Sequence, residues 1–561
     1  MLLSGAQVIV KILEKHGINT IFGYPGGTIL PFYDALYEQK TIKHVLTTHE
    51  QGAAHAADGY ARASGKVGVC VATSGPGATN LVTGLAAAFL DSIPVVAITG
   101  QVPLGLIGRD AFQEVDITGI TIPITKHNYL VKDIKELPEI LNQAFYIARS
   151  GRPGPVLVDV PRDIQVQKYS FDENLLHNPS QNDYPLRSVC FQDMSDKIKE
   201  AAQYLMNAKC PVILAGGGVI SASAGEELKN LIKKTDIPVV STLMGIGSYP
   251  SNDEHYIGMT GLHGCKAANN AVFNADVLMV TGSRFNDRIT GDRKRYADGK
   301  TIIHVDIDLA EIKKNVHTGL GLVGNMTDIL RKLGELVGEG NRASWRQTIR
   351  EWQKDEKPFS DNGELSAPWM FEEFNNLNIR QEAIFVTDVG QHQMWAAQYL
   401  KVDIPRTFIS SGGLGAMGFG LPAALGAQTA IPDKRVIHIA GDGGFKMTGC
   451  ELYTVAAQKL PVISIVINNS GLGMIRQLQH LLFGKRFIAA DLDVSMDFTL
   501  FAKSFGIDGY SASTKEEFSK AFKAAWETKA PALIVVNVPE NHMVSPMIAL
   551  DGTLENYIME N

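Results

Sequence analysis

The chain is poor in the features that mark several large protein classes. Its five cysteines (Cys70, Cys190, Cys210, Cys265 and Cys450) are scattered and odd in number. With no CxxC pair and no Cys/His cluster, they speak against a disulfide scaffold, a zinc module or thiol redox work. They read as small buried residues in a reducing compartment. There is no basic tract and the net charge is −7, so nothing invites nucleic acid. No apolar run is long enough to cross a membrane. The start, Met1-Leu2-Leu3-Ser4-Gly5, enters an amphipathic segment without a basic n-region or an Arg/Ser-rich presequence. A cytoplasmic protein is expected, although a processed organellar chain fits the same start. What remains is an ordinary globular composition, 45% apolar and 20% charged, and 561 residues are too many for one core. Three domains are expected.

One pattern occurs three times. Val67–Thr73 reads as a strand, Ser74-Gly75-Pro76-Gly77 as a turn, Ala78–Phe89 as a helix, and Ile93-Pro94-Val95-Val96 as the start of the next strand. Val212–Ala215, Gly216-Gly217-Gly218, a helix through Lys234 and Ile237-Pro238-Val239-Val240 repeat it, as do Val436–Ala440, Gly441-Asp442-Gly443-Gly444, a helix over Thr448–Lys459 and Leu460-Pro461-Val462-Ile463. Each proline opens a strand, where its missing N–H costs least. Near-continuous Val/Ile strands suit parallel sheets covered on both faces. The fold class expected is α/β, with three doubly wound parallel-sheet domains at 1–168, 188–338 and 366–545 and a tail over 546–561 that could lie on a neighbouring surface. The segments 169–190 and 338–366, where the pattern fails, are the expected boundaries.

The third repeat carries the most chemistry. In a right-handed βαβ unit both strand ends face one crevice, so Asp442, after the first strand, and Asn469, after Val462–Ile467, should lie side by side. A carboxylate and an amide oxygen are hard ligands, suited to Mg²⁺ that carries a diphosphate. Asp-Gly alone is a common turn; its spacing between two buried strands is the specific part. Thr387-Asp388-Val389-Gly390-Gln391-His392 ends a strand and opens a helix whose N–H groups suit phosphate oxygens. His392 there is a phosphate donor or a helix-cap histidine. Ser410-Ser411-Gly412-Gly413-Leu414-Gly415-Ala416-Met417-Gly418 has too many glycines for a helix interior and reads as backbone approaching a ligand, with Met417 propping a ring. In the first domain Glu50 falls where a strand gives way to a small-residue helix; by itself it is most simply a solvated carboxylate at a helix N-terminus.

Together, Glu50 and the 441–469 motif resemble the thiamine-diphosphate enzymes, as do Phe22-Gly23-Tyr24-Pro25-Gly26-Gly27 and Thr73–Asn80. Gly100-Gln101-Val102-Pro103, Asp110–Asp116, Gly282–Gly291 and Gly473-Met474-Ile475-Arg476-Gln477 narrow the resemblance to the catalytic subunits of acetohydroxyacid (acetolactate) synthases, over nearly the whole chain. It implies a pyrimidine-binding first domain, an FAD-binding-like middle domain and a diphosphate-binding third domain. Thiamine diphosphate, Mg²⁺ and FAD are the implied cofactors. The implied reaction decarboxylates pyruvate and transfers the hydroxyethyl carbanion to a second 2-oxoacid, toward valine, leucine and isoleucine. A related 2-oxoacid decarboxylase or cyclic diketone hydrolase is the alternative. Active sites at a subunit interface imply a homodimer or homotetramer, and many family members add a small regulatory subunit.

The resemblance also assigns residues. Asp442, Asn469 and the Gly471 carbonyl match the Mg²⁺ ligands. Pro25, Gly26, Gly390, Gln391 and His392 match thiamine-diphosphate contacts, as do Gly443 and Gly444. Gly415 matches the carbonyl that meets the ring amine, and Met417 the residue that bends the coenzyme. Glu50 matches the glutamate on the aminopyrimidine, as a buried carboxylate with a raised pKa. For FAD the matching positions are Arg152, Gly216, Gly217, Gly218 and Thr242, with Leu243, His263, Gly282, Arg284 and Asp306. Arg288 matches an arginine for the second carboxylate; Gln113 and Phe112 match active-site walls, and Met474 belongs with them. Leu478 stands where the family usually has the Trp that favours 2-oxobutanoate and binds sulfonylurea-type inhibitors. Arg162 replaces a usual Lys and Asn325 a usual Asp near the adenine, and residues 480–494 depart from the pattern.

Overall fold

The computed structural model of the protein describes residues 1–171, 194–356, 363–377, 379–492, 494, 496–549 and 552–558. Its frame is three six-stranded sheets, parallel at every pairing. The first runs Lys43–Leu46, Thr20–Gly23, Gly68–Ala72, Val95–Gln101, Val156–Pro161, His127–Leu130 across its width. The second runs Tyr256–Met259, Val239–Ser241, Pro211–Ala215, Val277–Thr281, Thr301–Asp306, Leu320–Val323. The third runs Phe408–Ile409, Ala383–Thr387, Arg435–Gly441, Ile463–Asn468, Ala532–Asn537, Asp508–Ala512.

Alternate residues of each strand feed opposite cores, as the two-residue period of a doubly covered sheet requires. Val69 and Val71 enter one core, Cys70 and Ala72 another. Ile437 and Ile439 enter a third, while Val436 and Ala440 join the core that holds Cys70 and Ala72. The first and third sheets therefore share a core. Between them cross the helices Glu50–Ser64 and Gly420–Ala430, and glycine sets their separation: a Cβ on Gly59 would lie 2.1 Å from the Ala423 oxygen and one on Gly426 1.9 Å from the Ala56 oxygen.

Several elements differ from the sequence reading. The expected helix over Thr448–Lys459 is three pieces, because the chain turns helical at Asp442 (Asp442–Thr448), tightens over Gly449–Glu451 and resumes as Leu452–Ala457. The helix expected through Lys234 is Gly217–Ser221 followed by Gly225–Thr235. The segment 338–366, read as a charged and partly helical boundary, does carry the helix Ala343–Asp355, but its Trp345 and Ile349 pack into the middle core. Most of the other boundary, 169–190, lies outside the described residues, as do Cys190 and the domain start at 188. The tail returns to the middle unit: Ile548 and Leu554 enter its core, and the Ile548 N–H donates to the Leu262 carbonyl at 2.9 Å.

Candidate active site

In an open α/β sheet ligands bind beyond the strand ends where the winding direction reverses. Each sheet here has one such point, and each holds a glycine-containing turn from the sequence reading. They lie between Thr20–Gly23 and Gly68–Ala72, between Pro211–Ala215 and Val277–Thr281, and between Ala383–Thr387 and Arg435–Gly441.

At the third point the pairing Gly441↔Ile467 sets Asp442 beside Asn468 and Asn469. Asp442 is buried and accepts from the Gly443 N–H at 2.9 Å and the Gly471 N–H at 3.1 Å. Burial pushes its carboxyl up to about 6. Asn469 donates its amide nitrogen to Gln391 Oε1 at 3.3 Å, which leaves its amide oxygen for a cation. Gln391 in turn donates to Gln477 Oε1 and to the His542 carbonyl, both at 2.9 Å, so this orientation is tied to the end of the chain. His392 lies beside Gly441; its ring is held by a hydrogen bond to the Asp388 backbone, and its buried Nε2 has no partner. Burial holds His392 down at about 4, so in the coenzyme-free protein the ring is neutral with its one N–H on Asp388. The orphaned Nε2 becomes a donor to a phosphate oxygen once a bound anion favours the second proton. Met417 lies over the same turn, its methyl 3.7 Å from where a Gly443 side chain would begin. The residues present fit a metal-bound diphosphate.

Asp388, which the sequence reading passed over, organises this end. Its buried carboxylate accepts from Gly418 at 3.0 Å and Gly420 at 2.9 Å, and Gly444 packs on it. It pins the glycine-rich loop that carries Gly415 and Met417. The same loop is held from the first unit, where Asp91 accepts from Gly412 at 3.2 Å and Gly413 at 2.7 Å and Arg62 donates to the Ser410 carbonyl at 2.8 Å. Arg62 is buried with Asp91 and Asp58. No local motif announces this network, because its members lie far apart in sequence; the signal available was charge in an otherwise apolar helix, Ala53–Ala63.

At the first sheet's switch point Gly26 lies against Thr73, whose hydroxyl meets Thr28 at 2.9 Å; Pro25 is exposed. Glu50 opens its helix and takes a 2.9 Å hydrogen bond from Asn80 Nδ2, while its other oxygen faces Gly77. It is half-buried, not buried as expected: in one chain it looks onto an open face. Among the described residues no hydrogen bond joins Glu50 to Asp442, Asn469 or His392. Gln113 lies on Gly75 with φ of 59°, and Phe112 beside it is 87% exposed. Arg162 is exposed, without hydrogen bond or ion pair among the described residues. Met474 and Leu478, one turn apart on Gly473–Leu482, are half-buried.

In the middle unit the glycines have a packing task. Gly282, at φ 61°, approaches Gly218 so closely that a Cβ would lie 2.5 Å from its Cα. The N–H of Gly216 goes to Thr281 and that of Gly218 to Gly282, so neither is left for a ligand. Thr242 caps Gly245, and Leu243 packs against the third unit's core. Cationic groups nevertheless converge. Arg152 pairs with Glu311 at 3.1 Å, while the mostly buried Arg284 guanidinium carries no ion pair among the described residues and is pulled down by burial and by Arg152. Asp306 is pushed up to about 6 by burial. An unpaired guanidinium at a switch point fits an anionic dinucleotide such as FAD. Half-buried His263 keeps its buried Nδ1 unpartnered within electrostatic reach of Arg288, whose side chain is 59% exposed. Asn325 caps the helix Met326–Leu336 through Asp328, a local reason for an amide there.

Three parallel α/β units with a diphosphate crevice define a thiamine-diphosphate enzyme, and sequence comparison agrees unit by unit. Residues 3–120 match the N-terminal TPP binding domain of thiamine pyrophosphate enzymes, 198–333 their central domain and 388–536 their C-terminal TPP binding domain. The chain is 44% identical to acetolactate synthase of Mycobacterium bovis, over 98% of this chain and 90% of that one. It is 43% identical to the acetolactate synthase isozyme 2 large subunit of Escherichia coli, over 97% of each, and 41% identical to the acetolactate synthase large subunit of Porphyra purpurea, over 100% and 98%. The chain belongs to the acetolactate synthase large-subunit family.

Proposed function

We propose that this protein decarboxylates pyruvate and joins the two-carbon fragment to the ketone of a second 2-oxoacid, pyruvate giving 2-acetolactate and 2-oxobutanoate giving 2-aceto-2-hydroxybutanoate. The observation that supports it most is the convergence of Asp442, Asn469 and the orphaned His392 Nε2 at one strand-end crevice, in a chain that aligns from end to end with acetolactate synthases. Bound thiamine diphosphate supplies the electron sink for decarboxylation. Asp442, Asn469 and the Gly471 carbonyl would hold Mg²⁺, His392 a phosphate oxygen, and Gly415 and Met417 the rings. Glu50 would hold and move a proton at the aminopyrimidine. Arg288 would receive the second carboxylate as a bidentate partner. The middle unit, through Arg152, Arg284 and Asp306, would hold FAD in a structural role, since the reaction has no net redox change.

The open face of Glu50 supports a site completed by a second copy of the chain, giving at least a dimer. Exposed Phe112, Ile122, Met447 and Leu500 leave large apolar side chains available to such a contact. A small regulatory subunit and a cytoplasmic location belong to the same reading. Supplied with thiamine diphosphate, Mg²⁺ and FAD, the purified protein is expected to form acetolactate from pyruvate alone. Acetaldehyde as the sole product, or hydrolysis of a cyclic diketone instead, would favour the alternative chemistry.

Two predictions arise here. Replacing Leu478 by Trp is expected to raise preference for 2-oxobutanoate over pyruvate about tenfold, the scale of one methylene in a pocket at about 1–3 kcal/mol. Product ratios from mixed 2-oxoacids measure it, and an unchanged ratio removes Leu478 from the acceptor pocket. The second concerns Asp442, with its carboxyl near 6. Only the ionised group binds Mg²⁺, so metal retained after dialysis should be about tenfold lower at pH 5 than at pH 8. Unfolding is not the cause expected from this group. Its folded pKa lies above the unfolded one, so in the metal-free protein it favours folding increasingly as pH falls through 6.

A further inference from the structure

We propose that Glu451 is a positioning residue for Glu50, acting from the third unit of the same chain. Glu451 is 1% exposed and ends the tight turn after the helix Asp442–Thr448. Its Oε1 accepts from the Thr48 N–H at 3.1 Å and the His49 N–H at 3.2 Å, and its Oε2 accepts from the Thr454 hydroxyl at 2.8 Å. Thr48 and His49 are the two residues before Glu50. Gly52 makes room for the carboxylate: a Cβ there would lie 2.1 Å from Glu451 Oε1. Thr454, one turn beyond, shares that one hydroxyl proton with the Leu46 carbonyl at 3.2 Å, at the end of the strand that leads to Glu50.

Of the backbone between Lys43–Leu46 and the Glu50 helix, the Thr47 N–H bonds to Gly23 in its own unit, while the Thr48 and His49 N–H groups find their partner on another. Buried N–H groups need such partners, and here they fix the angle at which the helix starts. The direction of Glu50 follows from that angle, with Asn80 setting its tip. Because Glu451 stands nine positions past Asp442 on a continuous stretch of short helices, it also ties the metal-binding turn of one site to the glutamate that, on the proposed dimeric reading, serves the other. The inference rests on that reading of Glu50.

The test compares Glu451→Ala and Glu451→Gln with the parent protein. The coenzyme-free protein is first examined by amide hydrogen exchange. Glu451→Ala should lose protection at Thr48 and His49 with little change in the first sheet's core. In the loaded enzyme kcat should fall tenfold or more, with the pyruvate KM within twofold. Glu451→Gln keeps one acceptor oxygen and should fall between the two, with partial protection and a kcat several-fold below the parent. Native protection and native kcat in Glu451→Ala would overturn the proposal, as would a loss spread evenly over the chain with reduced coenzyme affinity. If Glu451→Ala does not fold, Glu451→Gln decides: faster exchange at the two amides and a kcat several-fold lower supports the role, and native values for both overturn it. Glu50→Gln run alongside separates the two failures, since retained turnover there removes the function assigned to Glu50 whatever Glu451 does.

Discussion

Replacing Glu50 by Gln should lower kcat by about 10³-fold, in the range that a positioned acid–base group supplies, while leaving the fold intact. Glutamine keeps the length and the shape of the side chain, and its amide oxygen still accepts from Asn80. What it loses is the ability to take and return a proton. The structural cost is small because Glu50 is half-buried at the first position of its helix and makes no buried ion pair among the described residues. Its favourable interaction with the helix N-terminus is worth roughly 0.3–1 kcal/mol, too little to unfold a domain. Steady-state kinetics at saturating coenzyme, with calorimetry on the same samples, separates the two effects. Turnover within tenfold of the parent would show that the proton is handled elsewhere, and the proposed chemistry would have to move with it.

Much of this site was legible in the chain, for physical reasons that also mark where legibility stops. A parallel strand buried on both faces leaves a dense run of Val, Ile and Ala, and a strand-end turn leaves glycine beside the residue that meets the ligand. Gly441-Asp442 and Asn468-Asn469 could be read as neighbours because a βαβ crossover has only one common hand. His392 could be read only as the opening of a helix after a strand; its place beside Gly441, and the hold of Asp388 on the glycine-rich loop, are seen in the fold alone. What stayed hidden has its partner elsewhere in the sequence. Arg62, Asp91 and Glu451 are charges inside otherwise apolar or glycine-rich stretches, and only the packing of first unit against third reveals what they hold. Gly216 and Gly218 show another limit. A glycine turn after a strand serves a ligand or packing alike, and here their N–H groups bond to the Thr281 and Gly282 carbonyls. The loop needs glycine there because two backbones touch. Glu50 shows a third limit: burial was expected from its assigned role, and one chain does not provide it.

Replacing Arg62 by Leu should destabilise the protein by about 3–5 kcal/mol, the usual loss when one member of a buried ionic cluster is removed. The Asp58 and Asp91 side chains are fully buried, and Arg62 is the cation that both of them face. Asp91 would keep the N–H groups of Gly412 and Gly413, but Asp58 would keep far less. Burial already pushes the Asp58 carboxyl up, and Arg62 is the first influence opposing it. With that influence gone, Asp58 should be protonated in the folded variant at a pH where it is ionised in the unfolded chain. The folded state then binds the extra proton, so the variant's deficit should grow as pH rises from 5 to 8. Adding Asp58→Asn should recover part of the loss and flatten that slope, a coupling that independent sites would not show. Thermal unfolding of the four proteins at two pH values provides the cycle. The variants that lack Arg62 should bind thiamine diphosphate about tenfold more weakly, because the loop bearing Gly415 and Met417 loses one of its tethers to the first unit, at the Ser410 carbonyl. A variant that loses stability but holds the coenzyme as tightly as its parent would confine Arg62 to the shared core, and would leave the loop held by Asp388 and Asp91.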